Sequence, residues 1–412
     1  MSRTTTLSNR VAYALVAGVI GLGLYASVTP SPLYRTYSVL WHFSPLTLTL
    51  IYATYAFGVL ASLLLAGGVS DQVGRRPVLL VALAGLLGST ILFLLADSAA
   101  WLFVARGLQG LATGLALSAA SASLLDLHPR RDPASVGLTN AVAAAGGLGL
   151  GVLVSSALVQ IGWEPRLLPF ALLLGLIAVA LAGTTLMPEP VAERSRLRLT
   201  VDRPHVPPAV RRPFLLAALA VLSSWSIGAL FFSLGPQLAG ELFRSTNVLV
   251  DGSGIVLLAA TALGAQVATS RIAPWLAASV GSIALAGGMA LIVLAAANGS
   301  SGLYLVGSVL GGAGFGAAFL GGLRALVSVI PNEARASVMS AFYVAAYASL
   351  SIPAVLAGIV VTYISLTATF EIFGSVVALI ALVVAAEAWR TRPARRTPRP
   401  MLRREVLHDA AS

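Results

Sequence analysis

The chain has no cysteine and no lysine, four histidines, and few charged residues for its length. The missing thiols exclude disulfides, thiol catalysis and cysteine-ligated zinc or iron–sulfur centres. His42, His128, His205 and His408 fall in loops and tails without ligand spacing, so neither a metal nor any other cofactor is expected. No GxxxxGK[ST] stretch exists, which excludes a P-loop nucleotide motor. Paired acids or clustered histidines at one depth would mark a membrane enzyme, and none occurs. Charged residues make up 10% of the 412, where a soluble domain carries about 25%.

What is present is hydrocarbon: 58% of residues are hydrophobic and mean hydropathy is +0.90. So much apolar surface needs lipid as its solvent. Runs of about 20 apolar residues cross a bilayer as helices. Twelve are legible: roughly 11–30, 46–69, 78–97, 101–127, 134–161 and 166–187, then 214–243, 247–270, 274–297, 302–330, 336–362 and 367–389. The first is too long for a cleaved signal peptide and lacks a cleavage site, so it is read as a span. The expected fold is an all-α membrane protein of twelve transmembrane helices.

Arginine placement orients these spans. With the N-terminus inside, 21 arginines fall on the inner side, only Arg35, Arg166 and Arg244 on the outer, and Arg106 and Arg324 within helices. Both termini are expected in the cytoplasm of a cell with this chain in its inner (plasma) membrane. The net charge of +11 is spread among the loops rather than over one face, so lipid headgroups are the expected partner and nucleic acid is not. The polar stretch 188–213 divides six spans (1–187) from six (214–389) and reads as a flexible linker; 390–412 reads as a basic tail.

The halves echo each other at an offset of 202 residues: "QGLATG" (109–114) lies beside "GGAGFG" (311–316), Pro129 beside Pro331, and "ASV" (134–136) beside "ASV" (336–338). Parallel six-span repeats point to two pseudo-symmetric bundles that rock about a solute bound between them. A monomer is expected.

One charged stretch sits where the second span must turn back: "GGVSDQVGRRP" (67–77). Gly74 can take positive φ and end a helix, and Pro77 suits the first turn of the next. Gly67 and Gly68 permit a neighbouring helix to approach, and Arg75 and Arg76 mark the cytoplasmic side. Asp71 is the residue that turn-making leaves unexplained, because a carboxylate at a membrane boundary is costly unless paired.

The spacing Gly67-x-x-x-Asp71-x-x-Gly74-Arg75-Arg76, placed after the second of twelve spans, resembles the loop signature of the major facilitator superfamily. The resemblance implies a secondary transporter of a small-molecule solute. It also implies that Asp71 meets basic residues and the N-terminal end of the eleventh helix, near Ser337, as a latch on the inner gate. In the fourth span, Arg106-x-x-Gln109-Gly110-x-x-x-Gly114 resembles the signature of proton-coupled members, where the arginine is associated with proton movement. The residues alone also allow Arg106 to snorkel to the interface. Arg324 either snorkels or holds an anionic group of a solute. In the fifth span Gly151 fits the drug-antiporter signature, but Val152 replaces its proline and Ser155 and Ser156 its glycine pair, so its kink and close contact are expected to weaken.

A family-like cavity would be bordered by Tyr25, Tyr52, Tyr55, Asn140, Trp225, Gln266, Tyr343 and Tyr347. The acids Asp97, Asp126, Glu164, Glu241, Asp251 and Glu371 all fall near span ends. These observations favour proton-coupled export of small organic or drug-like solutes, with uptake or facilitated diffusion of a sugar-like metabolite as the alternative.

Overall fold

The structure, a computed structural model, describes residues 6–191 and 204–392. Most of the linker and all of the tail beyond 392 lie outside the described residues. The described chain is helical, with no strand among the described residues. The first half comprises α1 (Asn9–Val28), α2 (Tyr34–Trp41), α3 (Pro45–Ala66), α4 (Val69–Val73), α5 (Arg75–Leu94), α6 (Ala99–Leu127), α7 (Pro133–Ile161) and α8 (Leu168–Thr185). The second comprises α9 (Arg211–Ser233), α10 (Gly235–Phe243), α11 (Val248–Thr269), α12 (Pro274–Asn298), α13 (Ser301–Val327), α14 (Arg335–Val360) and α15 (Leu366–Arg390). Among the described residues, twelve helical segments are long and apolar enough to span a membrane, in the order read from the sequence. Both ends of the described chain emerge at one face, here the terminal face; the opposite one is the far face.

Local chemistry sets the helix ends. At the far face the caps are neutral: the side chains of Ser44, Asn247, Ser300 and Ser365 accept hydrogen bonds from the first turns of α3, α11, α13 and α15. A neutral cap satisfies an orphan N–H without placing a charge at the lipid boundary.

The first span departs from the sequence reading. Rather than ending near residue 30, it continues to Trp41. Pro30 and Pro32 interrupt the α-helical ladder, a 3-10 turn covers Ser31–Leu33, and α2 resumes at Tyr34. The seventh span is broken in the same way, with Pro236 in the first turn of α10. His42 ends α2 and Arg244 ends α10, both left-handed at φ 49°.

Those caps are 202 residues apart, and the same offset separates the first residues of α6 and α13 (99 and 301) and of α7 and α14 (133 and 335). The repeat therefore governs geometry as well as sequence. Within each half, glycines bring backbones into contact. A Cβ on Gly110 of α6 would collide with the Tyr55 carbonyl oxygen of α3 and lie 3.0 Å from the Gly58 Cα. Its counterpart Gly312 of α13 meets α11, where a Cβ would lie 2.7 Å from the Leu258 Cα.

Gly110→Val and Gly312→Val should each destabilise the purified protein by about 1–3 kcal/mol or more, since in each case backbone atoms of the neighbouring helix, which cannot swing aside, crowd the added Cβ. Gly175→Val, with nothing within 4 Å of the added Cβ, is the control. Thermal unfolding followed by size-exclusion chromatography should lower the midpoint for the first two variants and leave the third near wild type.

Candidate functional site

The 67–77 stretch is built around Arg75. Gly74 takes φ 111° and separates α4 from α5, which turns the Arg75 side chain inward, where it is buried. Its Nη1 donates to Ser70 Oγ at 2.8 Å and pairs with Asp71, and its Nε donates to Asp126 Oδ2 at 2.9 Å, at the end of α6. The N-terminus of α5 is held from the other direction. The backbone N–H groups of Arg75 and Arg76 donate to Glu189 Oε1 and Oε2 at 2.9 and 3.0 Å. A carboxylate there satisfies orphan donors and favours the helix dipole.

Asp71 keeps a 63% exposed side chain and pairs with Arg75 within its own half. Near the start of α14 the Ser337 carbonyl accepts from the His205 N–H at 3.4 Å. The sequence expectation for Gly67 and Gly68 needs correction. A Cβ on Gly68 would meet nothing within 4 Å, and one on Gly67 would meet its own helix at Leu63. The neighbour reaches this corner through a side chain instead, Ser118 Oγ donating to the Gly67 carbonyl at 2.9 Å.

Contacts between the halves lie from mid-height to the far face. The outer end of α7 meets that of α11, where Gln160 Oε1 accepts from the Val248 N–H at 2.9 Å and a Cβ on Gly252 would lie 2.9 Å from Ser156 Oγ. Thr49 of α3 packs against Gly358 of α14, and Tyr52 stacks on Phe232 at 6.4 Å. Arg35 on α2 pairs with Asp251 on α11 at 3.6 Å.

A profile of the Major Facilitator Superfamily matches residues 11–300. The chain belongs to that superfamily. Its curated relatives include the uncharacterized MFS-type transporter EfpA of two Mycobacterium tuberculosis strains, 28% identical over 200 residues; that match takes in 48% of this chain and 33% of the relative. The chain thus spans about a third of the length of the curated relatives it matches. Among solved structures, the partially occluded inward-open xylose transporter XylE of E. coli aligns at TM-score 0.73 and 15% identity, covering 93% of this chain and 98% of that one. The human organic anion transporter MFSD10 (TETRAN) aligns at 0.66 and 16%, covering 93% and 100%. At these identities the likeness is one of fold. The superfamily is one of multi-pass membrane transporters of small molecules, in general not enzymes.

In this superfamily chain, Arg106 of α6 is 0% exposed and does not snorkel. Its Nε donates to Tyr34 Oη at 2.6 Å, and its Nη1 donates to the Ser27 carbonyl at 2.6 Å and to Gln109 Oε1 at 2.7 Å. Gln109 Nε2 in turn donates to the Ala26 carbonyl at 2.9 Å. The rings of Tyr34, Tyr55 and Phe93 lie 5.4, 5.5 and 5.8 Å from the guanidinium carbon. Nη2 has no partner. A cation is thus buried among neutral acceptors and ring faces, compensation weaker than a carboxylate supplies. Neither Tyr34 nor the freed carbonyls at the end of α1 were identifiable as its partners from spacing.

The fifth span keeps its close contact despite the altered signature. Gly147 and Gly151 of α7 lie against the α1 backbone at Gly21 and Tyr25, and Ser155 Oγ donates to the Thr29 carbonyl at 2.6 Å. Tyr25 is buried there with an unpartnered hydroxyl. Trp225 packs edge-on to Tyr347 at 5.2 Å and against Phe319 at 5.8 Å, its buried Nε1 unpartnered. Tyr343, one turn from Tyr347, is exposed. Asn140 stands apart from that aromatic group, accepting from Ser121 Oγ at 3.2 Å. Arg324 donates to the carbonyls of Thr269 and Ile272 at 3.2 and 3.0 Å, capping the end of α11. There a cation favours the helix dipole.

Arg106→Ala should lower the thermal-unfolding midpoint, because Gln109 Oε1 and the Ser27 carbonyl lose their donor at a cost on the order of 1–3 kcal/mol for each buried group. Arg106→Lys restores the charge but not the planar fork and should recover only part of the loss. A midpoint unchanged in Arg106→Ala would contradict this network.

Proposed function

We propose that this chain is a monomeric plasma-membrane transporter with both termini in the cytoplasm, which exports small organic solutes by alternating access in exchange for protons. The observation that carries this reading is the one-sided meeting of the halves among the described residues. There they touch from mid-height to the far face, while Asp71 at the terminal face is exposed and pairs with Arg75 of its own half. In the opposite state Asp71 moves to the N-terminus of α14, where the helix dipole favours a carboxylate. Arg75 and Asp126 hold Asp71 ready for that exchange, and Gly67, Gly74 and Arg76 shape the loop that presents it. Solute binds at mid-height among Tyr25, Trp225, Tyr343 and Tyr347, with Asn140 and Arg324 toward the terminal face. Arg106, which keeps its charge, and Gln109 form the fixed buried polar pair that we associate with proton movement.

Inside-out vesicles holding a proton gradient, exposed to cationic, neutral and anionic solutes and followed with a pH-sensitive dye, test this reading. A solute should dissipate the gradient only when the intact chain is present, and Arg106→Ala should not support it. Asp71→Asn should cut transport by about tenfold or more while insertion stays normal. Full transport by that variant would remove the latch. The serines at 155 and 156, in place of the antiporter glycines, favour the second reading, uptake or facilitated diffusion of a sugar-like metabolite. Under facilitated diffusion labelled sugar equilibrates across the vesicle membrane while the dye stays silent.

A further inference from the structure

The far half holds a second space. A cavity of about 460 Å³ lies between the halves, walled by α2 and the start of α3 on one side and by α9, α10 and α11 on the other. Its exposed border includes Arg35, Val39 and Ser44, so it opens at the far face. Phe43 and Phe232 give it apolar walls, Asp251 and Glu241 supply carboxylates, and Arg35 is the basic residue that lines it.

Asp251 is 7% exposed. Its Oδ1 has no hydrogen-bond partner among the described residues and is closed off by Gly240, where a Cβ would lie 3.0 Å away. Its Oδ2 faces Arg35 Nη1 at 3.6 Å, beyond hydrogen-bond distance, and the Arg35 side chain is 66% exposed. A buried carboxylate needs a cation at contact distance and full hydrogen bonding to offset its desolvation. A largely solvated guanidinium at that separation offers little. The dipole of α11, in whose first turn Asp251 lies, offsets part of that cost; the carboxylate remains incompletely paired, at the wall of a cavity large enough for an organic molecule and lined with rings that would cover an apolar body.

We propose that this cavity binds amine-bearing organic cations, the ammonium taking the place of Arg35 against Asp251 and the apolar body lying against Phe43 and Phe232. The proposal names a substrate class for the transport reading above and rests on it only for the step from binding to carriage. Binding has a mechanical consequence: it displaces a weak ion pair that bridges the two halves at the far face.

Equilibrium dialysis of the full chain in detergent micelles tests the site, with labelled rimantadine as the cation and its neutral alcohol isostere 1-(1-adamantyl)ethanol as the control. Wild type should bind the amine about tenfold or more tightly than the alcohol, and Asp251→Asn should erase the difference. Arg35→Gln should tighten amine binding, because the competing cation is gone. Equal binding of amine and alcohol overturns the proposal, as does weaker amine binding by Arg35→Gln. If Asp251→Asn does not elute as a single species, the direction of the Arg35→Gln change decides alone. Amine bound in this pattern but never carried across vesicles overturns the transport reading and leaves the site standing.

Discussion

Glycines bring helix backbones together inside each half, while the contacts between the halves described above run through side chains. Inside a half, backbone meets backbone: Gly147 of α7 lies on Gly21 of α1, and Gly288 of α12 on Gly311 of α13. No side chain stands between such helices to yield, and a packed interior transmits rather than absorbs strain. Across the halves the corresponding meetings run through side chains, Gly252 facing Ser156 and Val152, and Gly358 facing Thr49. Surfaces that touch through side chains can part without rebuilding either body. The broken first and seventh spans lie at this seam, and each adds a short helix, α2 or α10, to its far end.

The same division explains where the charges sit. At the terminal face Arg75 gathers Ser70, Asp71 and Asp126, while Glu189 caps α5, so the loop between the second and third spans is tied to the fourth span and to the chain just after the sixth. All of these belong to the first half. At the far face, charge crosses the seam in the Arg35–Asp251 pair. Arg106 lies near that face and shares Tyr34 with the cavity, since the Tyr34 hydroxyl accepts from Arg106 while the residue lines the cavity wall. Buried charge and opening space are thus separated by a single aromatic ring.

Span positions were legible in the sequence because a run of apolar residues long enough to cross lipid has few alternative structures. The repeat was legible because glycine spacing is dictated by backbone contact; Gly110 and Gly312 do the same work 202 residues apart. The turn at Gly74 followed from its chemistry. The extent of the first span was not legible, since Pro30 and Pro32 read as an end when the chain in fact resumes at Tyr34. Glu189 was missed, and Asp251 was read only as one of the acids near span ends, for a related reason. An acid in a first turn or after a span has an ordinary explanation as a dipole partner. Only tertiary placement makes one a buried member of a cavity wall and the other a clamp on a helix 114 residues away. Gln109 was singled out by spacing, but its bond to the Ala26 carbonyl depends on how α1 ends.

In the transport cycle proposed above, the two halves close at the far face and must part there. The chain has no native cysteine, so a disulfide can be placed without background. A Cβ on Gly252 would stand 3.8 Å from the Ser156 Cβ, which matches the mean separation of about 3.8 Å in disulfides. Ser156→Cys combined with Gly252→Cys should cross-link on mild oxidation, stop transport, and regain it on reduction. Undiminished transport by the fully cross-linked protein would contradict the account.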